Sequence, residues 1–146
     1  MKTEQQEYKA IVVEDEFLLS KNIIKRVNDS DLNFQVIAAA EDGESALNLI
    51  EKHMPHLVIT DIKMPVMDGL ELCKELHSFY PAIQVLIVSG YNEFELAQRA
   101  IEYGVKGFLL KPLSSSKLEE ALRKIKITLD GKKDEISAFG QKNLQI

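Results

Sequence analysis

Five short apolar runs, at residues 10–13, 36–40, 57–60, 85–88 and 107–110, have almost no polar position inside them. A strand with one wet face alternates polar and apolar residues. Runs without that alternation suit parallel strands covered on both sides. The segments between them step in threes and fours, the spacing of a helix with one buried stripe. The stripes are Leu18, Leu19, Ile23 and Val27; Ala46, Leu49 and Ile50; Leu70, Cys73 and Leu76; and Leu96, Ala97, Ala100 and Ile101. After the last strand come Leu118, Leu122, Ile125 and Leu129.

Helix starts are marked independently. Asp68 with Glu71, and Asn92 with Glu95, have the N-cap and N3 spacing of a capping box, and Ser114 or Ser116 can open the last helix. Five strands alternating with five helices predict an α/β fold: an open five-stranded parallel sheet with helices on both faces. In such a sheet, sites form beyond the carboxyl ends of the strands. Past Leu129 the text DGKKDEISAFGQKNLQI is charged and poor in apolar residues, so 130–146 reads as a linker or tail. The apolar spacing nevertheless continues to Ile136 and Phe139, interrupted by Gly131 and Lys132, which leaves a coiled-coil extension as the lesser alternative.

Length and charge narrow the function. At 146 residues there is room for one ordinary domain, and a net charge of −5 argues against a polyanion-binding surface. The single cysteine, Cys73, cannot build a disulfide framework or a thiolate zinc site and reads as a small core residue. His53, His56 and His77 share no ligand spacing. The start MKTEQQEYK has no apolar signal core and no later run approaches membrane-spanning length, so the expectation is cytoplasmic, with no membrane partner.

The polar residues at the predicted strand ends carry the chemistry. They are Glu14 and Asp15 after the first strand, Asp61 after the third, Ser89 after the fourth and Lys111 after the fifth. Three carboxylates on one rim repel one another and raise at least one pKa unless a cation intervenes. Magnesium suits the set, since it takes oxygen ligands and keeps waters that a phosphate can replace. Each acid taken singly is as well explained as a helix cap or a solvated loop group.

The ordered motifs VVEDE, TDIKMPVMDG, VSG and LLKP resemble the receiver (CheY-like) domain of bacterial two-component response regulators, over residues 8–129. The resemblance implies a flavodoxin-like sheet of strand order 2-1-3-4-5. It makes Asp61 the phosphoacceptor for a sensor histidine kinase. Asp15, Asp61 and the backbone carbonyl of Lys63 would hold Mg²⁺, with Glu14 acting through water and Lys111 pairing with a phosphoryl oxygen. Ser89 matches the switch hydroxyl and Phe108 the switch aromatic, which alone would also pass for core packing. Lys63 and Tyr91 would set the lifetime of the acyl phosphate, and Pro112 matches a cis-proline turn that aims Lys111.

The stretch SGYNEFELAQRAIEYGVKGFLLKP looks like receivers of YesN/AraC-type regulators. That resemblance implies DNA contact only through a C-terminal domain not in this chain, with a possible homodimer through the fourth helix, fifth strand and fifth helix. The alternative is a stand-alone receiver acting by protein contact or in a phosphorelay. A haloacid-dehalogenase-type phosphohydrolase wants a second acid two residues after the nucleophile, where Lys63 stands. A flavodoxin-like carrier wants a phosphate loop where Glu14, Asp15 and Glu16 stand. The chain therefore reads as a signalling domain and not an enzyme acting on a separate substrate.

Overall fold

The computed structural model describes residues 7–144, leaving out the side chains of Tyr91 and of 134–144. Five strands, β1 (Tyr8–Val13), β2 (Phe34–Ala40), β3 (Leu57–Thr60), β4 (Gln84–Ser89) and β5 (Gly107–Leu110), form one parallel sheet of order β2-β1-β3-β4-β5. The helices are α1 (Phe17–Asn28), α2 (Gly43–His53), α3 (Gly69–Phe79), α4 (Phe94–Arg99) and α5 (Ser115–Leu144). The predicted α/β sheet and its strand order are those observed.

The pleat of β1 divides the core. Tyr8, Ala10 and Val12 face the α1 and α5 side with Ile23, Val27, Leu118, Leu122, Ile125 and Leu129. Ile11 and Val13 face the other side with Ala46, Ile50, Leu72, Cys73, Leu76 and Ala100. Successive side chains of a strand point to opposite faces, so a strand covered on both sides must be apolar throughout. Burial raises the Cys73 thiol to about 12, with the Asp68 carboxylate adding to it, in keeping with an inert core residue.

The stripes hold with two exceptions. Leu18 and Ile101 are exposed: each lies about 100° around the helix from a neighbour in the stripe, Leu19 or Ala100, that is turned further toward the core. Asp68 caps α3 as expected, its Oδ1 accepting the Glu71 amide at 2.9 Å, and Ser114 caps α5 by accepting the Lys117 amide at 3.4 Å.

The Asn92–Glu95 capping box does not form. The Glu93 carboxylate instead accepts the Gly90 amide at 2.8 Å, a 3₁₀ turn covers Tyr91–Glu93, and α4 begins at Phe94. A buried carboxylate needs a donor, and the amide three residues back is the nearest.

The backbone past Leu129 carries the last helix on. α5 continues to Leu144 through Gly131, so most of 130–146 is helical whatever its role, with residues 145–146 outside the described residues. No proline follows Pro112, and Glu119–Arg123, Glu120–Lys124 and Lys126–Asp130 are ion pairs one turn apart that suit a solvated helix. The Tyr8 hydroxyl also donates to Asp130, tying that turn to the sheet. The continuation to Ile136 and Phe139 concerns side chains outside the described residues.

Candidate functional site at the carboxyl rim of the sheet

Parallel pairing brings the ends of β1 and β3 side by side, with Val13 opposite Thr60, so the residues that follow meet. The Asp61 amide donates to the Val13 carbonyl at 3.0 Å, extending the ladder by one residue and delivering the Asp61 side chain at the rim. One Asp61 oxygen accepts the Ile62 amide at 2.7 Å and the other accepts the Lys111 ammonium at 3.1 Å. Asp61 is only 4% exposed.

Glu14 is deeper still, at 2%. Its Oε2 accepts the Glu16 amide at 3.1 Å, while Oε1 lies 3.4 Å from Lys111 Nζ and has no hydrogen-bond partner. Burial, aided by the Asp61 charge, raises its pKa to about 7, against the pull of the Glu16 amide and Lys111. One carboxylate is raised as expected, but burial rather than repulsion among the three acids is the main cause, and only Asp61 adds to it.

Asp15 is exposed, and the carboxylate oxygens of Glu14, Asp15 and Asp61 lie within 4.8 Å of one another. A buried oxygen without a donor, inside a cluster of hard oxygen ligands, suits a divalent cation that prefers carboxylate and water. Lys111 arrives from β5: its amide donates to the Ser89 carbonyl at 2.9 Å, and its peptide bond to Pro112 is cis, as the motif implied. Burial alone would lower its pKa, but bonds and charge from Asp61 and Glu14 outweigh this and hold it above the usual lysine range. The lysine therefore stays cationic at neutral pH.

Glu14, Asp15, Asp61 and Lys111 thus come together as predicted. Ser89 sits at the end of β4 on the same rim, 1% exposed. Phe108 is 38% exposed on the edge strand, so plain core packing does not account for it. Lys63 is exposed in the loop after Asp61, and the side chain of Tyr91 is outside the described residues. His56 accepts the Lys9 amide through Nδ1 at 3.0 Å, away from this rim.

Sequence reasoning passed over three participants. Gly69 lies so close to the Asp61 carbonyl, and Gly43 so close to Met67, that neither has room for a side chain. Glu93 ties down Gly90, just past Ser89. The DG pairs at 68–69 and 42–43 were visible signals for the two glycines; nothing local announces Glu93.

Fold and site together define an α/β domain with an acidic cluster that could hold a cation and a fixed lysine where a parallel sheet ends. The chain belongs to the response regulator receiver domain family, whose model matches residues 10–123. It is 39% identical over 118 residues to the uncharacterized transcriptional regulatory protein YesN of Bacillus subtilis, covering 81% of this chain and 32% of that protein. It is 34% identical to the transcriptional regulatory protein HptR of Staphylococcus aureus, over 84% of this chain and 48% of that one. The chain spans between about a third and a half of the length of these curated relatives. The REC domain of AraT, a response regulator from Geobacillus stearothermophilus, superposes with a TM-score of 0.82 at 35% identity, covering 86% of this chain and 98% of that domain. Among the described residues no helix is long and apolar enough to cross a membrane.

Proposed function

We propose that this chain is the phosphoacceptor of a two-component system and that Asp61 takes a phosphoryl group from a phosphohistidine of a sensor histidine kinase. The carrying observation is the Lys111 ammonium set 3.1 Å from an Asp61 oxygen and 3.4 Å from Glu14 Oε1, a buried oxygen held by this ion pair but meeting no well-aligned hydrogen-bond donor. An Asp61 oxygen attacks phosphorus through a remaining lone pair as the phosphorus–nitrogen bond breaks, and the bond pair returns to the imidazole. Such a transfer needs positioning and charge neutralisation more than covalent help.

Asp15, Asp61 and the Lys63 carbonyl would hold Mg²⁺, with Glu14 acting through water. The ion, when bound, supplies positive charge to the phosphoryl oxygens. Lys111 supplies a further fixed charge and a donor on the same group. Ser89 then donates to the phosphoryl group and Phe108 moves inward, altering the surface of α4, β5 and α5. Exposed Phe94, Ile101 and Leu110 on or beside these elements give that surface an apolar face, through which two copies would pair. Lys63 and Tyr91, two residues after Asp61 and Ser89 in the sequence, would slow attack by water.

The curated relatives are named transcriptional regulatory proteins and extend well beyond this match. The output is accordingly read as transcription, through an AraC-type DNA-binding domain outside this chain, in the cytoplasm. The test is incubation with acetyl phosphate and Mg²⁺, followed by intact mass and size-exclusion chromatography of wild type and Asp61→Ala. Wild type should gain one phosphoryl mass and Asp61→Ala none. No gain on wild type would sink the reading.

A further inference from the structure

The loop between Asp61 and Asp68 carries the aspartate and the Lys63 carbonyl. Most of its ties are to itself. The Met67 amide donates to the Pro65 carbonyl and the Gly69 amide to the Ile62 carbonyl, both at 2.7 Å. Val66 between them is left-handed, at φ 66°, a conformation that a β-branched residue holds only when its surroundings impose it.

Beyond Asp61, which Val13 and Lys111 hold, one hydrogen bond to the described loop comes from another element. The amide of Gly43, first residue of α2, donates to the Met67 carbonyl at 2.8 Å. The first amides of a helix have no partner within it. Asp42 takes the amide of Ser45, which leaves that of Gly43 for the loop. The approach is close, for a Cβ on Gly43 would lie 2.7 Å from Met67 Cγ and 2.9 Å from both its carbonyl oxygen and its Sδ. Any side chain at 43 has to push the loop outward.

We propose that Gly43 is a positioning residue for the rim site: its amide holds Met67, its missing side chain lets the loop close, and together they set where the Lys63 carbonyl stands. The inference rests on the reading of Asp61 and Mg²⁺ given above. Binding linkage is reciprocal, so an ion held by this loop must in turn tighten the bond between Gly43 and Met67.

Calorimetric Mg²⁺ titration of the full chain, wild type against Gly43→Ala, tests it, with far-UV circular dichroism to establish folding. Supporting shells around a metal are worth about tenfold or more in affinity, and Gly43→Ala should lose about that much. Its rate of phosphorylation by acetyl phosphate should fall at limiting Mg²⁺ and recover at saturation, a split that general loosening of the fold would not produce. Amide exchange of Gly43 in the wild type, followed by NMR, should slow when Mg²⁺ is added, and this decides the matter should Gly43→Ala fail to fold. Equal Mg²⁺ affinity in wild type and folded Gly43→Ala, or an exchange rate that Mg²⁺ leaves unchanged, overturns the role. A wild type that takes up no Mg²⁺ overturns the reading of the site instead.

Discussion

A Cβ on Gly69 would stand 1.9 Å from the carbonyl oxygen of Asp61, so α3 starts against the backbone of the very residue at the centre of the site. Backbone atoms cannot rotate away as a flexible side chain can. Gly69→Ala must move either the helix start or Asp61, and overpacking of this kind costs up to about 3 kcal/mol. Urea denaturation should show a loss of that size, together with weakened Mg²⁺ binding. A variant as stable as wild type would show that the loop gives way more easily than this contact implies.

Glu14 makes stability depend on pH when Mg²⁺ is absent. Its pKa is raised from 4.5 to about 7, by burial first and then by the Asp61 charge. The folded state therefore binds the proton more tightly than the unfolded one. The resulting stabilisation is full below the unfolded value and is lost as pH rises through about 7. Denaturation midpoints in chelator should fall between about pH 5 and about pH 8. Glu14→Gln, which has nothing to ionise, should lose less over that interval and be the more stable protein at its alkaline end.

His56 acts in the opposite sense. Burial and the Lys9 charge lower its pKa below 6.5, and Nδ1 must stay unprotonated to accept the Lys9 amide. Its contribution is present above the unfolded value and lost as pH falls below it. His56→Asn, whose side-chain oxygen can accept the same amide without titrating, should flatten the acid limb of the stability profile. The Glu14→Gln limb should be unaffected by it.

Val66 is 76% exposed and left-handed, so it bears conformational cost without burying much surface in return. Val66→Gly removes that cost, offset in part by the greater freedom of glycine in the unfolded chain. The net expectation is a gain of about 1 kcal/mol, read from the urea midpoint. A loss would mean that the valine side chain makes a contact worth more than its strain.

The apolar runs, with little polar alternation in the sequence, were enough to place all five strands and to predict the covered parallel sheet, because strand periodicity and burial act on neighbouring residues. Asp68 was readable as a cap for the same reason, since its partner is three residues away. Asn92 had equal local credentials and lost them to Glu93, whose burial is a consequence of packing. The sequence marks no end for α5, because composition records the charge of 130–144 but not whether the helix before it continues.

What the sequence by itself determined is the set of chemistry-bearing residues and the elements that carry them: acids after the first and third strands, a hydroxyl after the fourth, a lysine after the fifth. Local propensity and periodicity suffice for that much. Only the tertiary structure decided that Glu14 buries an oxygen without a well-aligned hydrogen bond, that Lys111 reaches this oxygen and Asp61 at once, and that Gly43 and Gly69 leave no space beside the Asp61 loop. These are contacts between residues far apart in the chain, or distances that depend on how closely helix, loop and sheet finally pack.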